Sequence, residues 1–232
     1  MKISIVIPIF NEKDYVANIL KKVNEKKKNF NLEIIVIDDG STDGTKKILE
    51  DYKNLYDYLI SYEQNRGKGY ALREGFKKCT GDIILIQDAD LEYDPEDYRI
   101  LIDPFINKNA DLVLGSRFKG DGPKRLLNFH HRIANFIITL LVNIFTNINF
   151  SDVETCYKVI KKSKLDKISL KEDGFSFEIE LIMKLSKLKL NIYEVGISYS
   201  GRTYEQGKKI RLKDAFTAIY SIFKYRIVNN WF

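Results

Sequence analysis

Two cysteines, two histidines, four prolines and a single tryptophan are all that the 232 residues contain of these types. Cys79 and Cys156 form no Cys-x-x-Cys pair or metal-ligand spacing. That excludes a disulfide scaffold and a thiolate metal centre, and fits free, buried thiols in a reducing cytosol. His130 and His131 have no companion at ligand spacing, so no metal role is expected of them. The prolines are scattered, and no Pro/Gly-rich linker, repeat or low-complexity tract divides the chain. Long hydrophobic runs are also missing. The nearest candidate, Ile133 to Phe145, is interrupted by Asn135 and Asn143 and falls short of the roughly 18 apolar residues that read as a membrane span. The first residues read as a strand and show no leader pattern. A cytoplasmic protein is expected.

What is present describes a globular protein: 44% hydrophobic and 30% charged residues, enough chain for one large domain with a sizeable core. The net charge of +6 and pI near 9.0 favour anionic partners such as nucleotide sugars, phospholipid surfaces or nucleic acid. The same Lys-, Asn- and Ile-rich usage equally reflects an AT-rich genome. The basic residues are scattered and no nucleic-acid motif occurs, so nucleic acid is not expected as a partner.

The first half alternates two periodicities. Strand-like runs at Ile3–Ile9, Glu33–Asp38, Tyr58–Tyr62, Asp82–Gln87 and Ala110–Leu114 are separated by helical patterns at about 14–28, Asp43–Tyr52, Gly69–Lys78 and Pro95 to Asn107. Strands spaced by helices of this length predict an α/β fold with a mostly parallel sheet covered on both faces. A polar loop at Gly115–Lys124 separates a half at 1–120 from a half at 121–232. The second half opens with a long apolar helix, Arg125 to Asn147, then reads strand (Cys156–Lys161), helix (Glu178–Leu188), strand (Asn191–Ser200) and helix (Arg211–Tyr225).

The polar residues fall at successive strand ends. Pro8, Asn11 and Glu12 follow the first strand, Asp38-Asp39-Gly40-Ser41-Thr42-Asp43-Gly44 the second, Asn65-Arg66-Gly67-Lys68-Gly69 the third, and Asp88-Ala89-Asp90 the fourth. In a parallel sheet these loops converge at one edge, where open α/β sheets place their ligands. Each has a chemical use. Glu12 and Asp39 can accept hydrogen bonds from base N–H or ribose hydroxyls. Arg66 and Lys68 sit in a Gly-rich turn where backbone approaches phosphate closely. Asp88 and Asp90 are hard oxygen donors suited to Mg²⁺ or Mn²⁺ shared with a substrate diphosphate. Taken singly, 38–44 reads as well as a turn with an N-cap. Neither a P-loop nor a dinucleotide fingerprint is present.

The segments 5–12 (IVIPIFNE), 38–45 (DDGSTDGT), 65–69 (NRGKG), 88–90 (DAD) and 115–117 (GSR) together resemble the family 2 inverting glycosyltransferases of the GT-A fold. The branch they resemble is that of dolichol-phosphate mannose synthase and the polyprenyl-phosphate glycosyltransferases. The resemblance is dense over about 1–120 and thinner to about 210, and implies a single GT-A catalytic domain over 1–232. It further implies that Pro8, Phe10, Asn11, Glu12, Asp38, Asp39, Arg66, Lys68 and Asp88 hold the nucleotide sugar. Asp88, Asp90 and Glu92 would hold Mg²⁺ or Mn²⁺, Glu92 standing where relatives often have Gln and reading equally as a solvated helix-entry residue.

The segment 152–158 (DVETCYK) resembles the D-x-x-x-G-F-K stretch of this branch, with Cys156-Tyr157 in place of Gly-Phe. The acceptor side is therefore expected to differ. Asp90, Asp152, Arg117 and Arg202 are the catalytic candidates; Arg117, Arg132, Arg202 and Lys208 are the candidates for a lipid-carrier phosphate, the basic 201–209 loop reading otherwise as solvated. Of Glu178 and Glu180, one alone can face the site from a helix, and Glu178 is preferred. The helix at 125–147 reads as an interfacial helix contacting a membrane peripherally, as a core helix, or as a dimer contact. A lipid phosphate acceptor needs no base. A glycan or glycerolipid hydroxyl acceptor would need one, and Asp152 is the first candidate. A catalytically silent nucleotide-binding module is a further alternative.

Overall fold

A computed structural model describes residues 1–120, 125, 129–203, 205–207, 209 and 212–227. Among these, seven strands form one sheet in the order β3-β2-β1-β4-β6-β5-β7. They are β1 (Lys2–Ile9), β2 (Asn31–Asp38), β3 (Tyr58–Ser61), β4 (Ile83–Ile86), β5 (Leu112–Ser116), β6 (Lys158–Lys161) and β7 (Ile192–Gly196). The helices are α1 (Val16–Glu25), α2 (Thr45–Asp51), α3 (Lys68–Phe76), α4 (Tyr98–Asn107), α5 (Phe129–Thr146), the single turn α6 (Lys162–Leu165), α7 (Phe177–Leu185) and α8 (Leu212–Ile227). The sequence places every element of three or more turns to within a few residues. The Pro95 start proves to be a 3₁₀ turn, Pro95–Asp97, capped by the Asp94 carboxylate accepting from Glu96 N–H.

β1, β2 and β4 are buried along almost their whole length, which is why they read as continuous apolar runs and not as alternating ones. α1 buries Val16, Ile19, Leu20 and Val23, a stripe at helical spacing. α7 is buried all round, including Glu178, Glu180 and Lys184. Its charges survive because each has a partner: Glu180 accepts from Lys171 and Glu172 N–H and pairs with Lys184 at 2.6 Å. α5 and α8 pack on each other, yet each leaves large apolar side chains exposed.

Two features of the topology position the site. β1 lies between β2 and β4, where the strand order reverses direction, so the loops after β1 and β4 leave a crevice between them. β6 alone runs antiparallel to its neighbours β4 and β5. Its leading segment, 152–157, therefore lies at the same sheet edge as the trailing loops of the other strands.

The opposite edge is held by Glu33. Its carboxylate accepts from Ser4 Oγ (2.5 Å), Thr80 N–H (2.5 Å) and Gly81 N–H (3.2 Å), and pairs with Lys2 at 2.7 Å. Burial opposes ionisation, but Lys2, Ser4 and Thr80 outweigh it and bring the folded pKa from 4.5 to about 2. A depressed folded pKa stabilises above the unfolded value and loses that contribution as pH falls through the folded one. The difference in melting temperature between the wild type and Glu33→Gln is therefore expected to be full above pH 4.5 and to vanish towards pH 2. A difference that stays constant over that range would contradict the assignment.

Candidate active site

A cavity of about 880 Å³ opens at the carboxyl edge of the parallel strands. Pro8, Phe10 and Glu12 reach it from β1, Asp39 from β2, Asn65, Gly67 and Lys68 from the β3–α3 turn, and Asp88, Asp90 and Glu92 from β4. The other wall brings Arg117, Glu154, Cys156, Glu178, Tyr199, Arg202 and Lys209, with residues 130–138 of α5 and 214–218 of α8 at its rim.

The donor-side loops are built around Asp39. Its carboxylate accepts from Arg66 N–H (2.9 Å), Gly67 N–H (2.7 Å) and Asn65 Nδ2 (2.9 Å), fixing the Gly-rich turn against β2. Burial pushes the Asp39 pKa up despite these donors. Gly67, at φ 104°, and Gly69 pass against the backbone of Asp173 and Glu172, where a Cβ would collide with carbonyl oxygens. Close backbone approach is thus the reason for both glycines. Behind the D-x-D segment lies Gln87, wholly buried. It accepts from Tyr98 and Tyr157 hydroxyls (2.9 and 2.8 Å) and donates to the carbonyls of Asp88 and Tyr93. Tyr157, which stands at the Phe of the D-x-x-x-G-F-K pattern that the segment resembles, therefore spends its hydroxyl in the core; Cys156 is the one of the pair that lines the cavity.

Charge is concentrated here and compensated in pairs. Lys68 Nζ sits 2.9 Å from Asp88 Oδ1 and 3.2 Å from Glu178 Oε1. Burial works against the Lys68 ammonium, but Asp88, the Cys156 side chain and Glu178 hold its pKa well above the ordinary value. Asp88, opposed by burial but favoured by Lys68, is held low. Glu178 also pairs with the fully buried Lys158 at 2.5 Å. Arg202 bridges Asp90 (2.7 Å) and Glu12 (2.9 Å), with its Nε 3.5 Å from Glu92, and Lys209 adds a second cation on Glu12 at 2.6 Å. Glu92 accepts from Tyr199 Oη (2.6 Å) and Arg202 N–H (2.8 Å), which makes it a member of the site and not a solvated helix-entry residue. Burial, then Asp88 and Glu92, push Asp90 up to about 7 in spite of Arg202.

Several expected residues stand elsewhere. Asp38 is buried and accepts from Ser41 N–H and Ser61 Oγ; it supports the loop without lining the cavity. Asn11, at φ 52°, accepts from Thr42 N–H and ties the β1 loop to that of β2. Arg66 is exposed, its guanidinium 3.7 Å from the Tyr70 ring centroid. Arg132 is exposed on α5 and lines the rim. Asp152 is wholly buried and does not line the cavity. Its Oδ2 accepts from Arg117 Nε (2.7 Å) and N–H (3.1 Å), and its Oδ1 from Arg117 Nη2 (2.7 Å) and Asn135 Nδ2 (3.3 Å). Lys208 lies outside the described residues.

The sequence model of the family described as Glycosyl transferase family 2 matches residues 4–169. The chain belongs to that family. Relatives of the family include a dolichol-phosphate mannosyltransferase of Pyrococcus furiosus, 26% identical over 90% of this chain and 61% of its own length. A hexosyltransferase of low-salt glycan biosynthesis from Haloferax volcanii is 27% identical over 88% of this chain and 49% of its own. A UDP-N-acetylglucosamine–dolichyl-phosphate N-acetylglucosaminyltransferase of Methanococcus voltae is 26% identical over 95% and 94%. The chain thus spans about half to three-fifths of the first two and nearly all of the third. Among solved structures, glucosyl-3-phosphoglycerate synthase of Mycobacterium tuberculosis, crystallised with Mn²⁺, UDP and phosphoglyceric acid, has a TM-score of 0.77 at 19% identity, over 99% of this chain and 80% of that one. At that identity the likeness is one of fold: the GT-A fold.

Within this family 2 chain the donor set fits a divalent cation. Mg²⁺ typically takes one or two protein carboxylates and completes its shell with substrate phosphate oxygens and water. Asp88 and Asp90 supply such oxygens, and both line the cavity beside Glu92. Among the described residues no three acidic, histidine or cysteine side chains form a ready-made cage, so phosphate oxygens would have to complete the shell. Sequence reasoning missed Glu154 and Lys158. The signal was their place in the 152–158 segment, Glu154 in the turn that leads into β6 and Lys158 at its first residue, but nothing in the sequence tells that β6 runs antiparallel.

The Arg117–Asp152 pair yields a stability prediction. Removing one partner of a buried pair typically costs about 3–5 kcal/mol. Asp152→Ala is expected to lose that order of stability in denaturant unfolding and Asp152→Asn less, because the amide oxygen still accepts. A loss below about 1 kcal/mol for Asp152→Ala would show that the pair does not hold Arg117.

Proposed function

We propose that the protein is a metal-dependent inverting glycosyltransferase that moves a hexose from a UDP- or GDP-linked donor to a polyprenyl or dolichyl phosphate at a membrane surface. The observation that carries the acceptor side is the state of Asp152. Both its oxygens are taken up by Arg117 and Asn135, and it is turned away from the cavity that Arg117 lines. A base must reach the proton it removes, and Asp152 does not. What the acceptor side offers is a positioned guanidinium, the group that suits a phosphate. A phosphate oxyanion is its own nucleophile and requires no base. The names of the Pyrococcus and Methanococcus relatives point to the same acceptor class.

In this reading the donor diphosphate lies against Asp88, Asp90 and Lys68. When bound between Asp88, Asp90 and Glu92, Mg²⁺ or Mn²⁺ would supply positive charge to the leaving diphosphate. Lys68, held charged by Asp88 and Glu178, adds to it. Arg117 and Arg132 orient the acceptor phosphate on the opposite face of the sugar, which gives inversion, and Arg202 joins them when it exchanges its carboxylate partners for phosphate.

The rim supports a membrane-side approach. Phe136, Leu140 and Ile144 on α5 and Phe216, Tyr220 and Ile227 on α8 are 46–75% exposed. The two helices pack together and both line the cavity, so an apolar lipid chain leaving it between them would run onto that face. No helix among the described residues is long and apolar enough to cross a membrane; the α5–α8 face would lie on the surface.

Two measurements test the reading. In a thermal-shift panel of UDP- and GDP-sugars, at least one is expected to stabilise the protein, and more so with Mn²⁺; no metal-dependent stabilisation by any of them would sink the donor site. With anionic liposomes, the protein is expected to float, and Phe136→Asp with Phe216→Asp to lower the bound fraction by about tenfold or more. Wild type remaining in the dense fraction would discard the membrane face.

A further inference from the structure

The cavity carries two carboxylates to which the proposed chemistry gives no contact with substrate. Glu154 and Glu178 both line it, and Oε1 of each is buried without a hydrogen-bond partner. Glu178 is 4% exposed; one oxygen is taken by Lys158, while the other lies 3.2 Å from Lys68 Nζ, out of hydrogen-bond alignment. A buried acceptor left unsatisfied is costly and calls for an explanation. Here the two orphaned oxygens share one wall of one cavity, which is where a ligand's donors would meet them.

Their neighbours say which part of a ligand. Glu178 touches Lys68, the lysine on Asp88. Glu154 lines the same cavity and lies in the chain between Asp152, which pairs with Arg117 on the acceptor side, and Lys158, which pairs with Glu178. The space between a diphosphate and an acceptor phosphate is the place of the transferred group.

Resting on the donor reading above, we infer that Glu154 and Glu178 are specificity-determining residues whose free oxygens accept hydrogen bonds from O–H or N–H donors of the transferred sugar, selecting a neutral hexose and rejecting a uronic acid. Attraction and exclusion come from the same atoms. A hydroxyl can donate to each oxygen, whereas a sugar carboxylate has no proton to give and would add negative charge beside Glu154, Glu178 and the Asp88 that Lys68 already serves.

Glu154→Gln tests this without breaking an ion pair found among the described residues, whereas Glu178→Gln leaves Lys158 without its counter-charge. The probes are UDP and GDP alone, UDP-glucose, UDP-N-acetylglucosamine, GDP-mannose and UDP-glucuronate, with affinities measured by calorimetry in Mn²⁺. Wild type is expected to prefer at least one neutral sugar over UDP-glucuronate. Glu154→Gln should shrink that preference by about tenfold or more, the size of a hydrogen bond to a charged group, while binding the bare nucleotide within about twofold of wild type and melting within a few degrees of it. An unchanged preference overturns the inference and leaves the donor site standing, as does an equal loss for the bare nucleotide. A variant that keeps the preference but loses turnover would make Glu154 a base instead. Failure of every nucleotide to bind wild type removes the donor reading, and this inference with it.

Discussion

The site depends on one reversal of chain direction. In an otherwise parallel sheet, β6 runs antiparallel between β4 and β5, so the segment leading into it meets the loops trailing from its neighbours. Without that reversal Asp152, Glu154 and Cys156 would lie at the far edge with Glu33, and the donor loops would face no second wall. The reversal also sets Tyr157 on Gln87, so the hydrogen bonds that hold the D-x-D turn are tied to the acceptor segment.

A second constraint is electrostatic. Glu12, Asp88, Asp90, Glu92, Glu154 and Glu178 surround one cavity. Such a set is tolerable only when each charge finds a partner or is neutralised. Lys68, Lys158, Arg202 and Lys209 meet part of this need. Burial, reinforced by neighbouring carboxylates, raises Asp90 and Glu154 to about 7, and the Oε1 atoms of Glu154 and Glu178 have no hydrogen-bond partner. The proposed metal-bound nucleotide sugar would bring cation and hydroxyl together at such a site. On the acceptor side Asp152 holds Arg117, and Arg117 and Arg132 line the cavity together with Glu154.

Much of this was legible in the sequence for a simple reason. Continuous apolar runs separated by amphipathic helices define parallel strands, and parallel strands deliver their trailing loops to one edge. That rule pointed to Asp39, Lys68, Asp88 and Asp90, which line the cavity together with Glu92, a residue singled out by the family resemblance; helix periodicity allowed one of Glu178 and Glu180 to face it, and the one preferred, Glu178, lines it. The rule is silent on strand direction for an isolated four-residue strand such as β6, and Glu154 escaped notice for that reason. Periodicity also cannot tell which carboxylate will meet which cation. The Arg117–Asp152 pair spans 35 residues and the Arg202–Glu12 pair 190, and so the sequence, which offers Asp152 as a base for a hydroxyl acceptor, gives no sign of the bidentate pairing with Arg117 in the fold. Asp38 and Asn11 lie in the right loops, but their side chains are spent on holding those loops together.

The most direct test of the account is transfer itself. The protein would be incubated with Mn²⁺, a radiolabelled nucleotide sugar that it binds, and polyprenyl phosphate in vesicles, and the label partitioned between organic and aqueous phases. The account predicts an organic-soluble glycosyl phosphate whose formation requires the lipid's phosphate and is abolished by Arg117→Ala. Label reaching the organic phase with a phosphate-free polyprenol or diacylglycerol, and not with polyprenyl phosphate, would contradict it.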